Sequence, residues 1–412
     1  MLRRFALPGA AALFLLAACD ASPRGARAAP AAPSPWSAPT AWPALSRALG
    51  SAAAPTPAAA AVDGAGTLHA VFAADADRDG WADDLRYARL DPAGWSSPQP
   101  LAAGGPLAES PQLAVEGDGT VHVLWYAHGG TASPRSVPTE LVHRALRAGR
   151  WSAPEVLYRE PLAAGIPDLS LSAATGPDGA VEVLFQAQGR GIGHLTLRRG
   201  RASAPEFLDH DGRMTAFAPA AAGRPLELAY IGEAVSALRP SAENDVFVRP
   251  LGSRQAFPDV EVHAVPRRYS HYPQLVMDAD GVRHLFWLED TDGDVFPEAL
   301  YQADSRDGRS WSAGRDVTPP ALRGGVIYRA AAVGGRGGRI HLVLRHTRGR
   351  GRGDGLYAFS IGGGSPSPLV TLAAPGRLAA GDAQLVPDTR HRRVIALWRG
   401  ADGVFRWATH GE

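Results

Sequence analysis

Lysine is absent from this 412-residue chain: all 42 residues counted as lysine or arginine are arginine. Schiff-base chemistry, which needs a lysine amine, is therefore excluded. Asparagine occurs once, at Asn244, and cysteine once, at Cys19. One cysteine permits no intramolecular disulfide, so stability must come from burial and from closing sheet edges. Long hydrophobic runs are missing too. The apolar stretch from Phe5 to Ala18 falls short of the roughly 20 residues a membrane-spanning helix requires. A formal net charge of +1 supplies no field that would draw the chain to nucleic acid or to an anionic membrane surface. The arginine bias itself has two readings, a GC-rich coding bias or an anion-binding surface.

What is present begins with an address. Arg3 and Arg4 precede the apolar stretch, which ends in Leu16-Ala17-Ala18-Cys19. That layout reads as a signal peptide over residues 1–18. The terminal string resembles the lipobox of bacterial lipoproteins. The resemblance implies lipidation of Cys19, cleavage before it, and attachment to the cell envelope, with inner or outer membrane left open. Residues 19–34, mostly Ala, Pro, Ser, Gly and Arg, cannot fold alone and read as a tether.

From residue 35 onward one pattern recurs: a short apolar run, a Gly/Asp turn, then a β-branched run ending in a large apolar residue. PQLAVEGDGTVHVLW and PQLVMDADGVRHLFW are two of seven such strings, which end at Phe72, Trp125, Phe185, Tyr230, Trp287, Leu344 and Trp398. Each string is a β-hairpin signal. Each unit continues with a third strand carrying Tyr87, His143, His194, Phe247, Tyr301, Tyr357 or Phe405. Fourth strands begin Trp95-Ser96, Trp151-Ser152 and Trp311-Ser312. Four antiparallel strands per unit, repeated head to tail without linkers, make an all-β fold: a β-propeller of seven four-stranded blades, with six blades the alternative. The seventh unit ends after its third strand. The missing fourth is expected from Trp36-Ser37-Ala38-Pro39, which parallels Trp151-Ser152-Ala153-Pro154. The chain's beginning would then seal the ring and remove an open sheet edge. The expected layout is one domain over 35–412, and a monomer.

In the fifth unit, Ser305, Asp307, Gly308, Ser310 and Trp311 resemble, with one residue missing, the Asp box of sialidase-like propellers. That resemblance implies a structural turn and speaks to fold. It would also imply, for an enzyme, an arginine triad, a Tyr/Glu nucleophile pair and an acidic proton donor. The family's Phe-Arg-Ile-Pro string is missing, and Tyr269 and Tyr272, near Arg268, have no assignable glutamate partner. Neither a Gly-x-Ser-x-Gly elbow, a His-Glu-x-x-His pair nor a P-loop occurs.

Two acidic loops follow second strands. Asp75, Asp77, Asp79 and Asp83 form one; Asp290, Asp292, Asp294 and Glu298 form the other. Carboxylates at such spacing suit a structural Ca2+; a pair of solvated acidic turns is the competing reading. Histidines recur at one second-strand position, as His69, His122, His284 and His341, with Glu182, Glu227 and Ile395 in the other units. They read as structural residues bonded to nearby backbone rather than as a metal ring. Arg348, Arg350 and Arg352 sit on a glycine-rich loop that includes Arg352-Gly353-Asp354, a candidate anion or glycan contact or a solvated loop. Two functions follow: a non-catalytic envelope module binding a glycan or protein, or a sialidase-like glycan hydrolase or lyase.

Overall fold

The computed structural model describes residues 36–412 apart from 44–57, 75–83, 92–93, 103–106, 129–138, 161–169, 188–189, 210–212, 218–225, 234–243, 251–259, 264–267, 349–352, 363–364 and 379–382. Alternating apolar residues bounded by Gly/Asp turns form antiparallel hairpins, and these assemble into seven sheets. The blades run 58–102, 107–159, 171–209, 213–263, 269–316, 326–373 and 384–411, the last completed by residues 40–41. In the first six blades the chain passes from an inner strand through second and third strands to an outer one, and in the seventh residues 40–41 supply the outer strand.

Inner strands of successive blades touch all the way round, and the first meets the seventh. Each inter-blade seam is filled by apolar side chains from both sheets. Phe286, Leu288 and Leu300 of blade 5 pack with Ile327, Leu342 and Phe359 of blade 6. Trp42, Phe72 and Phe405 close the seam between blades 1 and 7. Burial of these faces is the main stabilising force, since no disulfide contributes.

The chain's beginning does seal the ring. Thr40 and Ala41 pair antiparallel with Trp407 and Arg406, and the Trp42 amide donates to the Phe405 carbonyl at 2.9 Å. A repeated serine clamp shows that the N-terminal segment is a true outer strand. In six blades the serine N–H donates to a third-strand carbonyl at 2.7–2.9 Å, while its Oγ accepts that residue's own N–H at 2.9–3.1 Å. The pairs are Ser96–Arg89, Ser152–Ala145, Ser203–Thr196, Ser312–Asp304, Ser367–Ser360 and Ser37–Thr409. Ser203 and Ser367 follow Ala202 and Pro366 rather than tryptophan, so the serine, not the indole before it, is the common part. The clamp also explains why the outer strand is split, as at 150–151 and 155–159. Its two bonds, one from the serine N–H and one to its Oγ, pin the chain at that serine.

The Asp box is the expected turn. Asp307 Oδ1 accepts the N–H groups of Arg309 and Ser310, both at 2.8 Å, and Ser305 Oγ accepts that of Gly308 at 2.9 Å.

Candidate functional site

Second strands end and third strands begin on one side of the ring, opposite the tight turns that join first to second strands. On the loop side the inner strands are irregular. Blade 5 has a bulge between His271 and Gln274, where Tyr272 has φ of 48°. A bulky residue in the left-handed region is an outlier, and bulges re-aim side chains. Blade 2 bulges the same way at Ser110, φ 50°, and each of these residues precedes a proline.

The Tyr272 ring faces blade 6, where the Arg329 guanidinium lies 3.4 Å from its centroid. A second bulge, between Ile327 and Arg329, positions that arginine directly across from Arg345 on the next strand. Like charges opposite one another destabilise a sheet. Here Asp354 grips Arg345, with Nη2 at 2.5 Å and Nε at 2.7 Å, and Tyr272 receives Arg329. Tyr328 adds its own ring 5.1 Å from Arg345. The result is a half-buried platform of two arginines and two tyrosines across neighbouring blades.

The acidic loop of blade 5 stands on the same side. Asp290 is fully buried. Its carboxylate accepts the N–H groups of Asp292, Gly293 and Val295 at 3.2, 2.6 and 2.7 Å. Glu298 holds Thr291 through its N–H and hydroxyl, at 2.9 and 2.8 Å. These bonds force Val295 to φ 71° and turn Val295 and Phe296 outward, 58% and 46% exposed. One ligand oxygen from each of Asp290, Asp292, Asp294 and Glu298 can be chosen so that all lie within 4.8 Å of one another. A calcium ion binds oxygens at 2.3–2.6 Å, so this all-oxygen set has the span the ion needs.

Other expected residues fall elsewhere. Cys19, Asp75, Asp77, Asp79, Asp83, Arg350 and Arg352 lie outside the described residues. Arg348 donates through Nη2 to the Ala321 carbonyl of the connection between blades 5 and 6. Asp354 serves Arg345 rather than a recognition triplet. Glu289 is fully buried, accepting from Ser270 Oγ and Trp287 Nε1 at 2.9 Å, with His263 Nε2 at 3.1 Å.

The repeated histidines are structural, but their main partners are side chains rather than backbone. His69 Nε2 meets Asp63 at 3.2 Å, His122 meets Glu116 at 3.1 Å and His284 meets Asp278 at 3.1 Å. Asp63 and Asp278 also accept N–H groups of their own turns, so each locks a hairpin to its second strand. In blade 6 a glycine, Gly335, holds the place of that acid, and Glu412 reaches in from the C-terminus, 3.4 Å from His341. Glu182 bonds His194 at 2.7 Å, and Glu227 pairs with buried Arg283.

Burial pushes His143 down to about 3, and the adjacent His122, 3.0 Å away, pushes the same way. Burial lowers His341 to about 4, with His410 adding to the shift. His284 differs. Burial pulls it down, yet Asp304 and Asp278 on its two nitrogens outweigh that and raise it.

Sequence reasoning found Tyr272 but missed Tyr328, Arg329, Arg345 and Phe296. The parallel between Ser110-Pro111 and Tyr272-Pro273 was the available signal for the bulge. An apolar pair inside an acidic loop was the signal for Phe296.

No protein-family model matches the chain, and no curated protein sequence does. Among solved structures, the BP39L lectin of Burkholderia pseudomallei superposes with a TM-score of 0.60 at 13% identity, over 87% of this chain and 98% of the lectin. An ulvan lyase of polysaccharide lyase family 25, bound to -[GlcA(1-4)Rha3S]-, gives 0.56 at 13% identity, over 84% and 90%. A Hadza microbial sialidase, Hz136, gives 0.48 at 14%, over 86% and 66%. The likeness is one of fold. The chain shares a β-propeller fold with a lectin and with a polysaccharide lyase.

Proposed function

We propose that this propeller is a lipid-anchored envelope module that binds an acidic glycan without altering it. The observation that carries the reading is the Tyr272–Arg329 stack at 3.4 Å, with Arg345 directly opposite Arg329. Aromatic rings hold the C–H faces of sugars, and guanidinium groups grip carboxylate or sulfate in fixed geometry. Phe296 and Val295 extend the apolar part of the surface. The lectin and the lyase that share the fold lend support, the lyase having been seen with a chain containing glucuronate.

The non-catalytic part rests on how the nearby carboxylates are used. Glu289 is buried among donors, Asp354 is gripped by Arg345, and Asp290 folds its own loop. Bound Ca2+ at Asp290, Asp292, Asp294 and Glu298 would offset their mutual repulsion and stiffen the segment that presents Phe296. The lipobox at Cys19 would hold the ring at the membrane by the tether.

A glycan array of acidic and neutral chains tests this, with Arg329→Ala and Tyr272→Ala as controls. Saturable binding of acidic chains, lost in both variants, is expected. Release of free sugar from a fluorogenic sialoside, or of unsaturated uronate from the bound chain, would instead make the protein an enzyme.

A further inference from the structure

A second cleft opens where blades 6 and 7 meet beside the segment that seals the ring, with a volume of about 310 Å³. That is the small end of the range for ligand pockets, suited to one sugar ring rather than a chain. Three separate stretches build it. Pro39 comes from the closing segment, Leu372 and Arg377 from the end of blade 6 and the connection beyond it, and Trp398, Asp402 and Arg406 from blade 7.

Its polar groups are held in place. Asp402 takes Arg406 through both oxygens, at 2.8 and 2.5 Å, and Arg406 Nη1 also donates to the Val404 carbonyl at 3.1 Å. The arginine is the cross-strand partner of both Trp398 and Ala41 of the closing strand. The bond to Arg406 holds Asp402 down to about 2, so the pair is charged at neutral pH. A side chain at Gly400 would meet Arg406 Nη1 at 2.0 Å; only glycine lets the guanidinium lie there. The Arg377 carbonyl accepts the Ala401 N–H at 3.0 Å, which fixes the connection against blade 7. Its exposed guanidinium has no ion-pair partner among the described residues.

We infer that this seam cleft binds a single uronic-acid ring. Arg377 takes the carboxylate, the Asp402–Arg406 pair accepts from and donates to ring hydroxyls, and Leu372, Pro39 and Trp398 form the apolar wall. The site is complete only when the ring is closed, because Pro39 belongs to the closing segment. Its ligand therefore stabilises the sealed ring by mass action. The inference does not depend on the glycan surface of blades 5 and 6.

The test uses the intact chain with glucuronate, glucose and acetate as probes, read by thermal midpoint and titration calorimetry. Glucuronate should raise the midpoint and bind saturably; glucose and acetate at equal concentration should not. Arg377→Ala should weaken glucuronate by about tenfold or more, the scale of one lost charge-assisted bond. This residue is exposed, so the variant folds; Gly400→Ala provides a second, independent disruption. In Tyr272→Ala/Arg329→Ala, which removes the surface of blades 5 and 6, the glucuronate binding that Arg377→Ala loses should remain. Absent binding by the parent, equal response to acetate, or binding that survives Arg377→Ala and vanishes in the Tyr272/Arg329 variant would each overturn the inference.

Discussion

The two sides of the ring use the same residue types for opposite ends. On the hairpin-turn side, carboxylates and histidines recur from blade to blade with the same partners: an acid in the turn, a histidine six positions on, and a bond near 3 Å between them. Among the described residues of the loop side, no such pairing repeats so regularly. Carboxylates there twist one loop until Val295 sits at positive φ, and arginines face each other instead of an acid. Repetition marks what every blade needs in order to pack. Departure from it, at a local cost in strain, marks where one blade does something the others do not.

Breaking closure should produce the largest effect. Trp42 is buried and stacks on Trp95 at 4.2 Å. Its replacement by alanine should cost about 3–5 kcal/mol, seen as a lower denaturation midpoint. Deletion of residues 36–42 should cost more, because an unpaired edge is added. A deletion that melts like the parent would remove closure as the source of stability.

Acid should act next, through the turn side. His143 and His341 are depressed to about 3 and about 4, against roughly 6.5 when unfolded. Between these values the unfolded chain binds protons that the folded one refuses. The stability is therefore complete above about pH 6.5 and is lost as pH falls toward 4, by several kcal/mol over both sites. His143→Gln should flatten the fall in melting temperature between pH 7 and 4. His284 is raised, so its contribution is complete below about pH 6.5 and is lost as pH rises through its folded value. His284→Gln should therefore cost more at pH 5 than at pH 9.

A single clamp is a smaller lever. Ser152→Ala removes the bonds to the Ala145 N–H at 3.0 Å and the Ala153 carbonyl at 2.9 Å. It should lower stability by about 1 kcal/mol in chemical denaturation and leave glycan binding untouched. Phe296→Ala should do the reverse. Its ring is exposed, so stability should move by less than about 0.5 kcal/mol while array binding weakens. Equal behaviour of these two variants would dissolve the contrast between the sides.

Much of the architecture was legible beforehand. Seven hairpin strings gave seven blades, and a unit ending without its fourth strand pointed to Trp36-Ser37, now seen clamped to Thr409. The Asp box at Ser305–Trp311 was readable because its bonds span only a few residues. The site was far less legible. Tyr272 and Arg329 lie on different blades, and nothing in either segment names the other. The histidines drew attention by their spacing, but His341's acid, Glu412, comes from the end of the chain.

Strand, turn and repeat follow from the sequence alone, because alternating burial and turn chemistry are set by residues a few positions apart. Charge pairing between blades, the bulge that turns Tyr272 and the cleft at the seam belong to the tertiary structure. They depend on how separate sheets pack face to face, and that packing brings together groups which local sequence leaves unrelated.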